Sequence, residues 1–196
     1  MKIIMATGNM AKVKEIRQML EGTEIEVVSL KEAGISADIE ENGKSFEENA
    51  AIKAEAIRDL TGHIVMADDS GLEIDALNGA PGIYSARFMG EDTSYDIKNA
   101  AILKQLEEVP EEKRGARFVC AVAIAYPDAQ TEIFRGTFEG RIAYEIKGEN
   151  GFGYDPIFYV PERGCTSAQL RPEEKNAMSH RGKALAQAVE ALKRHK

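Results

Sequence analysis

Apolar and polar positions in the first third of the chain alternate between strand and helix patterns. Lys2 to Thr7 is a short β-prone run, and from Ala11 to Leu20 apolar residues recur with helical spacing. Glu24 to Leu30 is a second β-prone run. A capping box marks the start of a helix from about Ser45 to Leu60, and Gly62 just beyond it is a common helix stop. The pattern therefore predicts strand, helix, strand and helix.

In the middle of the chain, the pattern of apolar and polar residues predicts two further strands, a helix and a hairpin. His63 to Ala67 is an apolar strand that runs into a pair of carboxylates, and Leu72 to Leu77 has the composition of another strand. A helix is expected from about Thr93 to Leu106. Phe118 to Tyr126 and Gln130 to Thr137 flank a short turn-forming insert, so we expect them to pair as a hairpin.

The last third begins with a glycine-rich loop, Gly148 to Pro156, and ends in helix. Arg171 to Lys196 has helical spacing, with Ser179 as the predicted cap of the last helix. Interleaved strands and helices indicate an α/β protein with a mixed sheet. No repeat and no long linker divides the sequence, so residues 1–196 are expected to form one domain.

Composition limits where the protein works and what it binds. The longest apolar run, Phe118 to Tyr126, is far shorter than the roughly 20 residues that cross a bilayer, and Met1 to Ala6 is too short for a signal-peptide core. We therefore expect no membrane span and a cytoplasmic location. The net charge of −8 argues against broad binding to nucleic acid. Cys120 and Cys165 have neither metal nor disulfide spacing, and both are expected to be reduced thiols.

The first candidate site is the turn between the first strand and the first helix. Helix N-termini present free amides and a favourable dipole to phosphate, and Lys12 would add a positive charge. The spacing is not that of a Walker A loop, and a plain capping turn remains the alternative. The turn consists of Thr7, Gly8, Asn9, Met10, Ala11 and Lys12.

The second candidate site is the carboxylate pair Asp68-Asp69, predicted to lie at a strand tip before Ser70. Mg²⁺ prefers oxygen ligands, and one or two carboxylates plus substrate phosphates are enough to hold it. Glu40 or Glu41, in the polar connection before the second helix, would join the aspartates. The alternative is a turn or a solvated pair, which is a common role for adjacent aspartates.

Two further segments have features of a base-binding site. The loop from Gly151 to Pro156 offers aromatic faces for stacking on a planar base, although a hydrophobic plug would have the same composition. His180 and Arg181 follow Ser179 at a predicted helix start, where their donors suit an oxo group or a phosphate. A cap followed by solvated side chains is the alternative there.

Taken in order, five motifs resemble the inosine triphosphate pyrophosphatase family, also called the dITP/XTP pyrophosphatases. They are TGN-x-x-K, SFEENAAIKA, ADDSGLEIDALNGAPGIYSAR, GFGYDPIF and EEK-x-A-M-SHRGKAL, and they cover nearly the whole chain. The resemblance implies a curved mixed sheet flanked by helices, two lobes with a nucleotide cleft between them, and a homodimer.

The resemblance also implies a role for each motif. The loop from Thr7 to Lys12 would hold the triphosphate. Glu40 and Asp69 would bind Mg²⁺, with Asp69 as proton acceptor. Asp68 would support the metal site, Lys53 would lie near the phosphates, and Ser70 and Lys175 would contact the substrate. Phe152 would stack on the base, and Gly153, Tyr154 and Asp155 would surround it. His180 and Arg181 would recognise the oxygen at the six position of the purine.

The implied reaction converts dITP, ITP, XTP or dXTP to the monophosphate and pyrophosphate, with Mg²⁺ as cofactor and a small-molecule triphosphate as substrate. A Maf-like pyrophosphatase for modified pyrimidine nucleotides is the alternative enzyme, although the SHR and FGYD motifs argue against it. A nucleotide sensor without turnover would retain the binding residues. A partner-binding role has no need of this set of lysines, carboxylates and glycine loops.

Overall fold

The computed structural model describes residues 1–195 and shows an open, seven-stranded mixed sheet flanked by helices. The strands are β1 Lys2–Met5, β2 Glu26–Ser29, β3 Val65–Ile74, β4 Gly115–Ala125, β5 Glu132–Ile142, β6 Phe158–Val160 and β7 Cys165–Thr166. Their order in the sheet is β2-β1-β3-β4-β5-β6-β7. β1 is parallel to β2 and β3, whereas β6 is antiparallel to β5 and β7. The α/β class with a mixed sheet is confirmed.

Five α-helices occur in residues 1–195. They are α1 Met10–Met19, α2 Phe46–Thr61, α3 Tyr95–Gln105, α4 Pro172–Met178 and α5 His180–Arg194. Ser45 caps α2 by accepting a hydrogen bond from the Glu48 amide, and Gly62 ends it in the left-handed region at φ 67°. The expected capping box is only half formed, because the Glu48 carboxylate accepts from the Lys44 amide and not from Ser45. None of these helices has the length and apolarity that a membrane span requires.

The strand prediction around the two aspartates was wrong. We expected separate strands at His63 to Ala67 and Leu72 to Leu77, with Asp68 and Asp69 at a strand tip between them. The structure has one continuous strand, β3, that passes through both aspartates, and residues 75–77 form a 3₁₀ turn. Ser-Gly usually marks a turn, but here the strand continues because its residues are buried in the sheet on both sides of that dipeptide.

Other boundaries moved by only a few residues. β4 and β5 are neighbours in the sheet, as the predicted hairpin requires, and both strands are longer than expected. The C-terminal helical segment is divided into α4 and α5, with Ser179 as the single residue between them. It therefore occupies the position from which we expected it to cap the last helix. Lys196, the last residue of that prediction, lies outside the described residues.

The chain forms two compact units, each built from separate stretches. The first unit contains Met1–Asp69, Cys120–Gly136 and the chain from Arg181 onward. Its core is formed by β1, α1, β4 and α5, whose apolar residues recur on one face of each helix. Buried members of this core are Ile3, Met5, Val13, Ile16, Cys120, Val122, Ile124, Ala184, Leu185, Ala188 and Leu192. Cys120 is buried in this core as a free thiol, as predicted.

The second unit contains Ser70–Val119 and Thr137–His180. Its core combines aromatic and aliphatic side chains from β3 to β6, α3 and the loop before β6. Buried members are Leu72, Ile74, Ile102, Leu106, Phe118, Phe138, Ile142, Tyr154, Ile157, Phe158 and Val160. Each unit has its own hydrophobic cluster, so each positions its candidate site residues on a packed scaffold. A single domain over residues 1–196 stays a prediction.

Candidate active site

In the first unit, the predicted phosphate turn is already partly hydrogen-bonded. The Asn9 side chain caps α1 by accepting hydrogen bonds from the amides of Ala11 (3.0 Å) and Lys12 (3.4 Å). The Thr7 hydroxyl accepts from the Asn9 amide at 3.1 Å. Gly8, like the residues that follow it up to Ala11, is exposed. A phosphate bound here would share these amides with Asn9 or displace its side chain.

Asp68 lies fully buried at the centre of a charge cluster in the first unit. Its Oδ2 is 3.0 Å from Lys12 Nζ and accepts from the Arg181 guanidinium at 3.3 and 3.4 Å. Its Oδ1 is buried with no hydrogen-bond partner among residues 1–195. Burial alone would raise the pKa of Asp68, but the charges of Lys12, Arg181 and Lys53 outweigh it and lower that pKa below its usual range.

Arg181 connects α5 to this cluster. Its guanidinium bonds both Asp68 and Glu15, and it is only 2% exposed. Burial lowers the pKa of Arg181, but the two carboxylates reverse that effect and raise it. Glu15 lies three residues after Lys12 on the same face of α1. The predicted recognition residue Arg181 is thus held by an ion-pair network that sequence reasoning did not anticipate.

Asp69, the predicted proton acceptor, is supported by two residues of α2. Its Oδ2 accepts a hydrogen bond from Asn49 Nδ2 at 3.1 Å, and its Oδ1 is 4.0 Å from Lys53 Nζ. Burial raises the pKa of Asp69, and the nearby Glu41 charge adds to that increase against the opposing charges of Lys53 and Lys12. A buried carboxyl with a raised pKa is suited to accepting a proton.

The polar connection places Glu41, rather than Glu40, against the predicted catalytic residues. Glu41 Oε2 is 3.0 Å from Lys53 Nζ, whereas Glu40 is exposed. Within residues 1–195 no three acidic, histidine or cysteine side chains group closely enough to form a metal cage. Glu41 and Asp69, the two carboxylates on either side of the Lys53 ammonium, are oxygen ligands of the kind that suits Mg²⁺, which keeps several waters and uses substrate phosphates.

In the second unit, Asp155 is the centre of a saturated hydrogen-bond network. Its Oδ2 accepts from the Phe152 amide at 2.9 Å and from Lys175 Nζ at 2.8 Å. Its Oδ1 accepts from the Ser167 hydroxyl at 2.5 Å. Gly151 has φ 73°, and a Cβ there would lie 2.1 Å from Asp155 Oδ2. The glycine therefore lets the loop close around the carboxylate.

The FGYD segment divides into two accessible and two buried residues. Phe152 and Gly153 are partly exposed, whereas Tyr154 and Asp155 are buried. The Tyr154 hydroxyl donates to the Ser85 carbonyl at 2.6 Å, and burial raises the pKa of Tyr154 above its usual value. Stacking on a base is therefore geometrically open to Phe152. Tyr154 and Asp155 hold the loop in shape.

The remaining predicted residues occupy defined positions in the second unit. Lys175 is 4% exposed, and its ammonium lies 5.2 Å from the centre of the Phe152 ring. The His180 ring stacks on Phe118 at 4.9 Å between centroids. Ser70 is partly buried in β3 directly after Asp69. The structure thus brings Lys175 to the FGYD loop and places His180 on the aromatic core of this unit.

Sequence reasoning missed three residues that organise these clusters, namely Asn49, Glu15 and Ser167. Two of them carried a usable signal, because Asn49 lies four residues before Lys53 and Glu15 three residues after Lys12, on the same helix faces. Ser167 carried none, since it meets Asp155 through the fold of the loop and not through a fixed spacing.

Comparison with known proteins finds a matching family and relatives that are similar over nearly the whole chain. Residues 3–191 match the Ham1 family. A curated relative named dITP/XTP pyrophosphatase, from Desulforamulus reducens, is 50% identical over 194 residues, which cover 99% of this chain and 96% of the relative. A similar relative with the same name, from Exiguobacterium sibiricum, is 50% identical and covers 98% of this chain and 97% of its own length.

Solved structures agree in fold over the whole length. A HAM1 protein from Coxiella burnetii has a TM-score of 0.89 at 43% identity, with 99% of each chain covered. A nucleoside-triphosphatase, dITP/XTP pyrophosphatase, from Mycobacterium abscessus has a TM-score of 0.76 at 44% identity, with 96% of this chain and 99% of that chain covered. The family resemblance expected from the five sequence motifs is therefore confirmed.

Proposed function

Because this chain belongs to the Ham1 family, we propose that it hydrolyses inosine and xanthosine triphosphates to the monophosphate and pyrophosphate. The names of its near-full-length relatives supply the substrate class. The observation that carries the proposal is the position of Asp69, a buried carboxyl with a raised pKa, beside Lys53 and Asn49. That arrangement provides a proton acceptor next to a cation, as hydrolysis of a phosphoanhydride requires.

The proposed chemistry assigns each polar residue of the first unit a task. Asp69 accepts the proton of the water that attacks the α-phosphorus. Lys12 and Lys53 stabilise the negative charge that grows on departing pyrophosphate. Lys12 is bound to Asp68 by a side-chain ion pair, and it exchanges that partner for phosphate without any change in the backbone.

Mg²⁺ is the proposed cofactor, held by Asp69 and by an acid of the connection before α2. Bound Mg²⁺ offsets the charge of the triphosphate. The resemblance assigned the second acid as Glu40, whereas the contacts of Glu41 with Lys53 favour Glu41. Asp68, with one buried oxygen unused, supports the same cluster.

Base recognition is proposed for the second unit and for Arg181 at the start of α5. Phe152 stacks on the purine, and Lys175 with Asp155 fixes the loop that carries it. His180 and Arg181 donate to the oxo group at the six position. Adenine has an amino group there, so buried donors would lose their acceptor, a mismatch that costs about 10⁴-fold in rate. The homodimer and the cytoplasmic location stay predictions.

The test is release of pyrophosphate, measured separately from phosphate, from dITP, XTP, dGTP, dATP and dTTP with and without Mg²⁺. We expect rapid, Mg²⁺-dependent pyrophosphate release from dITP and XTP and slow release from the other three. A preference for dTTP or a modified pyrimidine nucleotide would point to the Maf-like alternative. Tight binding of dITP without release would identify a sensor, and either result would refute the proposal.

A further inference from the structure

Asn49 makes two hydrogen bonds that join separate parts of the first unit. Its side chain is fully buried on α2. Oδ1 accepts from the Gly43 amide at 2.8 Å, and Nδ2 donates to Asp69 Oδ2 at 3.1 Å. The Asn49 carboxamide therefore links Asp69, the proposed proton acceptor, to the end of the acidic connection, which is the segment before α2 that contains Glu40 and Glu41.

Lys53 repeats this link one helical turn later. Its ammonium lies 3.0 Å from Glu41 and 4.0 Å from Asp69. Residues four apart share a helix face, so Asn49 and Lys53 form two successive bridges from α2. Each bridge has one end on the connection that contains Glu40 and Glu41 and the other end on Asp69. The connection has no regular secondary structure, so these two side chains, together with the Glu48 carboxylate that accepts from the Lys44 amide, help to fix it.

The direction of the Asn49 carboxamide is determined by its neighbours. The Gly43 amide is a donor and needs an acceptor, so Oδ1 faces Gly43 and Nδ2 must face the Asp69 carboxylate. Gly43 has no room for a side chain, because a Cβ there would lie 2.6 Å from Asn49 Oδ1 and 2.8 Å from Glu48 Cβ. The bridge therefore depends on the residue types at both of its ends.

We propose that Asn49 is a positioning residue that orients the Asp69 carboxylate and fixes the acidic connection relative to it. The donated hydrogen bond occupies Oδ2 and so sets the direction in which Oδ1 points. The accepted bond holds the backbone just after Glu40 and Glu41. The proposal rests on the proposed function for its effect on turnover, whereas its effect on the connection is independent of that function.

The test compares Asn49→Ala, Asn49→Asp and Gly43→Ala, with Ile57→Val as the control. Ile57 is buried on the same helix, two turns after Asn49, and has no polar group, so its variant reports the effect of a weakened α2 without removing either bridge. Steady-state kinetics with dITP give kcat and KM separately. Hydrogen exchange of the metal-free protein, followed in the peptide that covers residues 36–43, reports the connection without any need for activity.

We expect Asn49→Ala to lower kcat by about 10–100-fold with KM within about threefold, and to speed exchange of the Gly43 amide, within the peptide of residues 36–43, by about tenfold or more. Asn49→Asp keeps the acceptor for the Gly43 amide but replaces the neutral donor to Asp69 with a second carboxyl. It should therefore retain the protection of the Gly43 amide and still lose kcat. Gly43→Ala should speed exchange, and Ile57→Val should leave both readouts near wild type.

A folded Asn49→Ala protein with kcat within twofold of wild type would overturn the positioning role. If wild-type protein releases no pyrophosphate from any nucleotide, the proposed function fails, and exchange alone then decides this inference. Unchanged exchange in Asn49→Ala would refute the bridge in that case, whereas faster exchange confined to residues 36–43 would support it.

Discussion

Arg181 in the first unit and Arg114 in the second are both almost fully buried, yet they are stabilised by different kinds of partner. Arg181 bonds the carboxylates of Asp68 and Glu15. Arg114 bonds main-chain carbonyls within the described chain, and its guanidinium lies against the Tyr144 ring at 4.3 Å. The carbonyls are those of Leu106 (2.5 Å), Val109 (3.1 Å), Ile142 (2.9 Å) and Ala143 (2.8 Å).

The buried carboxylates differ less sharply, because only one of the three partners of Asp155, the Phe152 amide, belongs to the main chain. Asp68 meets the side chains of Lys12 and Arg181, whereas Asp155 also receives an amide and a hydroxyl and leaves no oxygen without a partner. Flexible side-chain partners can be exchanged for a phosphate or a cation, but main-chain partners move only if the backbone moves. The first unit therefore has the charges suited to chemistry, and the second has the fixed loop suited to recognition.

The largest expected effect contrasts the two arginines. At neutral pH, Arg181→Gln and Arg114→Gln should each reduce the free energy of unfolding by about 3 kcal/mol or more, because each leaves buried polar groups unsatisfied. Only the Arg181→Gln deficit should depend on pH. The pKa of Asp68 is lowered in the folded protein, so its contribution is present above its unfolded value and is lost as pH falls.

Denaturant unfolding between pH 7 and pH 2.5 measures this difference. The gap in unfolding free energy between wild type and Arg181→Gln should be nearly constant down to about pH 4, the unfolded pKa of aspartate, and should narrow below it, whereas the gap for Arg114→Gln should stay constant throughout. If the unfolding free energies of the two variants depended equally on pH, the contrast between carboxylate partners for Arg181 and main-chain carbonyl partners for Arg114 would be refuted.

A smaller effect is expected from Ser167→Ala. This variant removes the hydroxyl that donates to Asp155 Oδ1 and leaves a buried carboxylate oxygen unpaired, at a cost of about 1–2 kcal/mol. We expect KM for dITP to rise by about 5–10-fold with kcat nearly unchanged. Ser94→Ala removes the cap of α3 in the same unit and is the matched control. A fall in kcat without a change in KM would contradict a purely recognition role for this loop.

Asp69→Asn should slightly stabilise the metal-free protein. The pKa of Asp69 is raised by burial, so its contribution to stability is present below its unfolded pKa and is lost as pH rises through the folded pKa. The free energy of unfolding of the variant should exceed that of wild type by about 0.5–1 kcal/mol at pH 8, and by less as pH falls. Substitutions at catalytic residues commonly raise stability while they lower activity. Thermal unfolding in a chelator tests this, with the exposed Asp59→Asn as control. A loss of stability at pH 8 would be contrary to expectation.

The smallest effect concerns the two thiols. Burial raises the pKa of Cys120 to about 12, whereas Cys165 is partly exposed in β7 of the second unit. Iodoacetamide at pH 8 should modify Cys165 in the native protein and reach Cys120 only after unfolding. Mass spectrometry of the labelled peptides distinguishes the two. Rapid labelling of Cys120 in the native protein would contradict this expectation, because it would require frequent local unfolding of the hydrophobic core of the first unit.

The sequence predicted those parts of the fold that depend on local patterns. The cap of α2, the stop at Gly62 and the neighbouring strands β4 and β5 all follow from spacing and turn chemistry. The continuous strand β3 was not predictable in this way. Its Ser-Gly dipeptide has turn composition, and only pairing and burial on both sides show that the strand continues.

The site was predictable as a set of motifs but not as a set of contacts. Asp69 and Lys53 were identified, whereas the partnership of Arg181 with Glu15 joins residues far apart in sequence and has no local signal. The choice between Glu40 and Glu41 depends on which side chain turns toward Lys53, and spacing does not determine that. The motif aspartate Asp155 holds the loop closed, a role that appears only when its partners are known.

We propose that Asp69 of the first unit acts in the chemical step and that the loop around Asp155 in the second unit acts in recognition of the base. The most direct test measures kcat and KM for dITP in Asp69→Asn and Asp155→Asn, with pyrophosphate release as the readout. We expect Asp69→Asn to lower kcat by about 10³-fold with KM nearly unchanged, and Asp155→Asn mainly to raise KM. If Asp69→Asn retains kcat within tenfold of wild type while folded, the account is contradicted.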